Sequence, residues 1–338
     1  MIGRLQRYAM DYAYNGAGKL ISLAPPTGKT VAVIGAGPAG LSCAGELARR
    51  GHSVTVFEKR PLAGGLSTYG IIALREPIEA ALAEAKMIEA LGVRIETNAE
   101  LGQNLNLDEL QARFAAVFLG VGLGATPAMS IPGEELILDG LQYIEQSKIN
   151  GGGIQIGRNV VVIGAGNTAI DCATIAKRLG AERVTMVYRR SAEEMTAYEH
   201  EYEFVKKEGV EFRFLTQAVR VLAENGAVTG LSCVRTELGP PDRSGRRAPR
   251  LADCNEFTIS ADQVVKAVGQ EKPALASLLG LEIDKGFIKV NTEFETSVSG
   301  VFAGGDSIRA TNAASTVMAV QDGKLAAHAI HQRIMHNG

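Results

Sequence analysis

The sequence predicts an α/β protein of two similar units, each a parallel sheet flanked by helices, with the second inserted into the first. Three observations carry that expectation. A β-branched run, a glycine turn, a helix and a further strand follow one another at Thr30 to Glu58, and the same order returns at Asn159 to Tyr188. Gly35 and Gly164 hold equivalent places in the two runs, each at a strand-to-helix corner. Near its C-terminus, at Gly300 to Asp306, the chain supplies another strand and turn that serve the first unit. These are the marks of two Rossmann-like dinucleotide-binding domains in series.

Composition agrees with this and excludes other classes. A chain of 338 residues with 46% apolar content, 21% charge and 39 glycines buries a large core and makes many tight turns. A net charge of −2 offers no field for nucleic acid or an anionic membrane. The N-terminus has Arg4, Arg7 and Asp11 in its first turns and no apolar stretch, so neither a secretory signal nor a membrane-inserted start is expected, and the expected location is cytoplasmic. Val31 to Ala48, the most apolar stretch, is broken by Gly35, Gly37, Pro38, Gly40, Gly45 and Glu46, which suits a strand, turn and helix. Cys43, Cys172, Cys233 and Cys254 form no Cys-x-x-Cys pair, so no metal site, cluster or dithiol is expected.

Each element follows from local pattern. Leu5, Tyr8 and Tyr12 at helical intervals predict a helical docking arm ahead of Gly16, Gly18 and Pro25-Pro26. After Thr30 to Ile34 comes a helix to Arg50 with Gly51 as its stop, then a strand Ser53 to Glu58. Ile78 to Leu91 reads as an amphipathic helix, Val93 to Thr97 as a strand, Asp108 to Phe114 as a helix and Ala116 to Gly120 as a strand. In the second unit a helix to about Leu179 and a strand Arg183 to Tyr188 follow Asn159 to Ile163. Residues 237–255, with Gly239, Pro240, Pro241 and Arg243, Arg246, Arg247 and Arg250, read as a solvated hairpin loop between strands around Leu231 and Phe257.

The chemistry lies at the two glycine corners. Gly35, Gly37 and Gly40, with Pro38 and Ala39, form Gly-Ala-Gly-Pro-Ala-Gly, where missing side chains admit a pyrophosphate to a helix N-terminus. Glu58 ends the next strand, where a carboxylate accepts hydrogen bonds from ribose hydroxyls. Gly305 and Asp306 follow the C-terminal strand, and Asp306 is suited to a polyhydroxy chain such as ribityl. A helix starting near Ser315, Thr316 and Val317 aims its N-terminus at a flavin's pyrimidine edge. The first site is therefore expected to hold FAD.

The second corner is Gly164, Gly166 and Ala169, with Asn167 and Thr168 between them. Its following strand ends in Tyr188-Arg189-Arg190 rather than an acid, so guanidinium groups stand where a ribose 2′-phosphate would lie. NADPH is expected here, and Glu193 or Glu194 leaves NADH possible. Phe118 to Gly122 and Val265 to Gln270 are apolar strands ending in small residues, read as sheet-closing segments that cross between the domains beside a cofactor, with Gly122, Ala267 and Gly269 at the turns. His200, His328, His331 and His336 are read as surface or packing residues.

The chain resembles the small, FAD- and NADPH-binding subunit of glutamate synthase and the related module of dihydropyrimidine dehydrogenase. The resemblance rests on Ile2-Gly3-Arg4-Leu5-Gln6-Arg7, Gly64-Gly65-Leu66 with Tyr69-Gly70-Ile71, Ile131-Pro132-Gly133-Glu134, Tyr188-Arg189-Arg190 and Asp322-Gly323-Lys324. It implies an FAD-binding domain over residues 1–127 and 271–338, with 1–25 as the arm, and an NAD(P)H-binding domain over 128–270. It also brings Lys59, Gly65 and Leu66 into the flavin site. In that family an iron–sulfur domain precedes the Ile-Gly segment, where this sequence begins with Met1, and the family's Gly-Ile-Pro is Gly70-Ile71-Ile72 here. The implied activity is hydride transfer between NAD(P)H and FAD, with electrons exchanged with an iron–sulfur partner in a hetero-oligomer. The same chemistry run in reverse would reduce NAD(P)+. A stand-alone diaphorase and a non-catalytic flavin-carrying subunit are the other readings.

Overall fold

The computed structural model describes residues 2–14, 21–149, 153–241, 247–252, 255–309 and 315–336. Helix α1 (Ile2–Tyr14) shows its apolar side chains to solvent, with Ile2, Leu5, Tyr8 and Tyr12 all more than two-thirds exposed. The first fold then builds β1 (Thr30–Ile34), α2 (Pro38–Arg49), β2 (Ser53–Glu58), α3 (Leu66–Tyr69), α4 (Ile78–Glu89), β3 (Arg94–Thr97), α5 (Leu107–Arg113) and β4 (Ala116–Leu119). Local chemistry sets several ends. Asn106 caps α5 by accepting from the amides of Asp108 at 2.8 Å and Glu109 at 3.3 Å, and Gly51 after α2 takes φ +87°, where a side chain would be strained.

The second fold follows as β5 (Leu138–Asp139), α6 (Gly140–Ile149), β6 (Asn159–Ile163), α7 (Asn167–Arg178), β7 (Arg183–Val187), α8 (Glu199–Lys207) and β8 (Glu211–Arg213). An antiparallel layer of β9 (Thr216–Glu224), β10 (Ala227–Pro241), β11 (Arg247–Leu251) and β12 (Phe257–Ser260) leads into β13 (Gln263–Lys266). The chain then returns through α9 (Leu275–Leu278), β14 (Ile283–Asp284), β15 (Phe287–Ile288) and β16 (Val301–Ala303) to the long α10 (Thr316–His336).

Strand order shows the insertion. The first parallel sheet runs β16-β4-β1-β2-β3 and takes strands from both ends of the chain, whereas the second, β5-β13-β6-β7-β8, takes them only from the middle. The two crossing segments bond to each other: Gly124 N donates to Glu271 O at 2.8 Å, and Glu271 N to Ala125 O at 2.7 Å.

The hairpin expected over 237–255 is present, but its arms are paired strand rather than loop. Glu237 to Pro241 continue β10, and Arg247 to Leu251 pair with it in antiparallel register, Glu237 opposite Arg250 and Leu238 opposite Pro249. Residues 242–246 and 253–254 lie outside the described residues. Glycine and proline suggested a turn, but prolines are tolerated in a ladder where it is irregular, and the register shifts between Leu238 and Pro241.

The first core lies between the sheet and α2 with α10, where Val31, Val33, Val56, Phe118, Phe302, Leu47 and Ile330 are buried. Each such side chain removed from water contributes about 1.5–3 kcal/mol. At the rim of this core the structure reveals a pair the sequence did not suggest. His52, 5% exposed at the start of the β2 region, has Nε2 2.8 Å from His331 Nδ1 on α10 and Nδ1 2.7 Å from Thr27 Oγ1. The imidazole–imidazole bond needs both rings neutral, or one of them charged and sharing its proton.

Burial, with His331 and Arg50 adding repulsion, lowers His52 to about 4. The unfolded side chain titrates near 6.5, so between these values unfolding takes up a proton and stability falls as the pH is lowered. We expect the thermal midpoint to drop between about pH 6.5 and 4, with His52→Asn removing on the order of 2 kcal/mol of that pH dependence. Parallel pH profiles for the two proteins would refute this role for His52.

Candidate functional site

At the first corner, backbone meets backbone. A Cβ on Gly35 (φ +94°) would lie 2.5 Å from Gly120 O, and one on Gly40 would overlap Gly35 O. Gly65 (φ +56°) brings its backbone against Gly37, where a Cβ would stand 2.7 Å from the Gly37 Cα. These contacts leave an uncovered cradle at the start of α2. Gly37 is the N-cap there, Pro38 opens the helix, and no side chain caps it, so first-turn amides are left for an anionic ligand. Ala39 and Gly40 are buried beneath.

Glu58 is 4% exposed at the end of β2, with Oε2 accepting from Ala36 N at 2.7 Å and Oε1 from Arg60 N at 2.8 Å. These two amides orient the carboxylate beside the glycine loop, and each oxygen retains a further lone pair for a hydroxyl. Lys59, next in sequence, is exposed, as is Leu66 at the start of α3.

Gly305 and Asp306 lie in a short 3-10 turn directly after β16, and a Cβ on Gly305 would be 3.0 Å from the Ala39 side chain. The C-terminal turn therefore sits against the fingerprint helix. Burial holds the Asp306 carboxyl above its ordinary value, with Asp322 pushing the same way and Arg309 opposing. Ser315 caps α10, accepting from Met318 N at 3.2 Å, and Thr316 and Val317 in the first turn are exposed, Val317 at 75%. Gly122 lies on the crossing segment and faces open space.

The residues that hold this turn belong to Asp322-Gly323-Lys324, which in the sequence carried only the family resemblance and no role. Asp322, 1% exposed on α10, accepts from Gly305 N at 3.1 Å and from Arg309 Nε at 2.9 Å, with a second Arg309 nitrogen on its other oxygen. Next to it, Gly323 lets α10 cross α2, since a Cβ there would overlap Ala39 O. The signal was present in Asp322-Gly323-Lys324: a buried acid beside a mid-helix glycine is unfavourable for an isolated helix.

The second corner repeats the first. A Cβ on Gly164 (φ +134°) would overlap Ala267 O, so β6 and the end of β13 approach without a side chain between them. Gly166 is the uncapped N-cap of α7, with Asn167 exposed, Thr168 half-buried and Ala169 fully buried behind them. Ala267 is buried, and Gly269 beyond it stands in open space at φ +102°.

After β7, Arg189 is exposed and Arg190 donates from Nε to Arg247 O at 2.9 Å, so the β10–β11 hairpin backs this loop. Glu194 is engaged in the loop itself, accepting from Ser191 N at 3.2 Å and Ser191 Oγ at 2.5 Å. That engagement weighs against Glu194 as a ribose ligand and leaves the arginines to set the site's charge. The Ile131 to Glu134 motif has a structural task. Glu134 takes Lys266 Nζ at 2.7 Å and the amides of Met129 and Ser130, which hold its carboxyl down at about 2.

Two glycine cradles on parallel sheets, each with an uncapped helix start, define a two-dinucleotide-binding oxidoreductase. Residues 29–326 match the pyridine nucleotide-disulphide oxidoreductase family, and the chain belongs to it. It is 42% identical over 323 residues to the NADP(+)-dependent formate dehydrogenase subunit beta of Moorella thermoacetica, covering 94% of this chain and 45% of that protein. It therefore spans about half the length of that relative. It is 35% identical to the glutamate synthase [NADPH] small chain of Escherichia coli, covering 97% of this chain and 74% of that one. FprA of Mycobacterium tuberculosis has the same fold, with a TM-score of 0.75 at 19% identity, over 93% of this chain and 85% of that one. Despite the family's name, the described cysteines Cys43, Cys172 and Cys233 are all buried and unpaired, and burial raises all three thiols. No described helix is long and apolar enough to cross a membrane.

Asp322→Ala would leave Arg309 and the Gly305 amide without their acceptor. We expect it to destabilise the fold by about 3–5 kcal/mol, the usual loss when one partner of a buried ion pair is removed. The conservative Asp322→Asn, which can still accept from Gly305 N, is expected to lose less. Denaturant titration of the three proteins checks the order, and an unchanged midpoint in Asp322→Ala would remove Asp322 from this role.

Proposed function

We propose that this chain is an FAD-dependent NAD(P)H oxidoreductase acting as the electron-transfer subunit of a larger assembly, exchanging electrons between NAD(P)H and an iron–sulfur partner. In this reading residues 1–127 and 271–338 carry the flavin and 128–270 the nicotinamide nucleotide. The cytoplasm is the proposed location. Among the relatives, one is the beta subunit of a formate dehydrogenase and another the small chain of a glutamate synthase, each by name one part of a larger enzyme.

The single observation that carries the reading is the pair of glycine cradles, one beside a buried acid and the other beside arginines. A flavin accepts a hydride from a reduced nicotinamide and releases electrons singly, the chemistry that a subunit between a nucleotide and an iron–sulfur centre requires. The chain's own contribution is binding and alignment. Gly35, Gly37, Pro38, Ala39 and Gly40 admit the FAD pyrophosphate, Glu58 accepts from its ribose, and Gly65 and Leu66 line the same cradle. Asp306 takes the ribityl hydroxyls, and the first turn of α10 at Ser315 to Val317 directs backbone amides at the ring. Gly164, Gly166, Asn167, Thr168 and Ala169 hold the second pyrophosphate, with Ala267 and Gly269 at the mouth. Arg189 and Arg190 face the 2′-phosphate of NADPH.

Anaerobic mixing of flavin-loaded protein with NADPH is expected to bleach the flavin absorbance, and persistence of colour with both NADPH and NADH would sink the enzyme reading. For nucleotide choice, Arg189→Ala is expected to lower kcat/KM with NADPH by about tenfold or more while leaving NADH use within about twofold, the scale of a charge-assisted phosphate contact. Equal losses with the two nucleotides would refute the phosphate assignment.

A further inference from the structure

The two dinucleotide folds meet through a pair of crossing segments joined by a few backbone hydrogen bonds, at Gly124, Ala125 and Glu271. Such a connection behaves as a hinge: it fixes an axis and leaves rotation about that axis to be settled elsewhere. What settles it here is residues 60–76, which touch both folds.

At its near end this segment belongs to the first site. Gly64 N donates to Ala36 O at 2.7 Å, and Gly65 rests on Gly37. Away from that end it enters the second fold. Ile72, 3% exposed, packs in the apolar cluster of α6 and α7, at the position where the family's Gly-Ile-Pro would place proline. The other contacts are polar and directional. Arg60 pairs with Glu145 of α6, and buried Lys148 of α6 donates to Ser67 O.

Arg75 then closes over two carboxylates from different helices of the second fold. Its Nε lies 2.8 Å from Asp171 Oδ1 on α7, and its terminal nitrogen meets Glu201 Oε1 on α8. Both carboxylates are 5% exposed, and among the described residues neither Asp171 Oδ1, which meets Arg75 as an ion pair only, nor Glu201 Oε2 has a hydrogen-bond partner. Two buried acids sharing one guanidinium give a contact that tolerates little displacement, because either acid left alone would be an uncompensated buried charge. Asp171 lies one turn along α7 from Asn167, so whatever fixes Asp171 fixes the helix start that faces the second nucleotide.

We propose that Arg75 is a positioning residue for electron transfer between the two nucleotides: its bridge to Asp171 and Glu201 sets the orientation of the second dinucleotide fold on the first. The inference rests on the two-nucleotide reading given under Proposed function. It acts through geometry, since a misplacement of about 1 Å at a reacting pair can lower a rate by about a hundredfold.

The test separates binding from alignment. In flavin-loaded Arg75→Ala, the affinity for NADP+ measured by calorimetry is expected to stay within about threefold of wild type, while anaerobic bleaching by NADPH slows by about 10- to 100-fold. Arg75→Lys, which keeps the charge but not the two-pronged contact, is expected to fall between them; it also carries the comparison should Arg75→Ala fail to fold. Bleaching at the wild-type rate, or a loss of NADP+ affinity as large as the loss of rate, overturns the proposal.

A second readout needs no electron transfer. By hydrogen exchange in nucleotide-free protein, residues 66–76 and 141–149 of the variant are expected to exchange about tenfold faster or more, with β1 and β6 unchanged. Unchanged protection in those two segments also overturns it. Wild-type protein whose flavin never bleaches would instead defeat the functional reading, and the exchange measurement would still decide whether Arg75 braces the folds.

Discussion

The fold depends on backbone meeting backbone at the start of α2. Four chain segments converge there: β1 through Gly35, α3 through Gly65, the turn after β16 through Gly305, and α10 through Gly323. A side chain at Gly40 or Gly323 would overlap a carbonyl oxygen of the fingerprint itself, so neither gap can be refilled by repacking. Because the space is closed by main chain, its shape is set by hydrogen-bonded geometry rather than by mobile rotamers. A helix start left uncapped in so rigid a setting is suited to a phosphate, since the donors are already oriented before the ligand arrives.

The same economy explains the polar groups around the cradle. Glu58 and Asp322 are both nearly inaccessible, and each is satisfied by backbone amides of the loops it organises: Ala36 and Arg60 for Glu58, Gly305 for Asp322. Buried acids of this kind hold loops in place only if their acceptor capacity is met. Arg309 supplies the charge that Asp322 otherwise lacks. The interface between the two folds follows a different rule. It is fastened by Arg60, Lys148 and Arg75 with only Ile72 as a buried apolar contribution from the segment, and directional pairs of this type specify orientation more strongly than they add affinity.

Much of this was legible from one sequence because the informative signals are local. A strand, a glycine corner and a helix occupy about thirty residues, and the glycines are required by the turn they make; β1, β2 and β6 accordingly fall where the β-branched runs placed them. That Arg189 and Arg190 follow the second strand of the second fold could be read by counting from Gly164 alone. The hairpin over 237–255 was legible but its paired arms, β10 and β11, were not, because prolines and arginines resemble a loop until a partner strand is known. Arg75 was passed over for a related reason, since nothing near it in sequence announces Asp171 or Glu201.

The sequence by itself determined that two dinucleotide folds exist, where each begins, and which charged residues follow the second strand of each, since those properties arise from residues within one turn or strand of each other. The tertiary structure alone decided how the folds are braced, which histidines meet, and which acid anchors the C-terminal turn. His52 and His331, Arg75 and Asp171, Gly305 and Asp322 are pairs brought together by packing of elements far apart in the chain. Their partnership depends on the closed geometry of the whole molecule, and a local pattern carries no record of that.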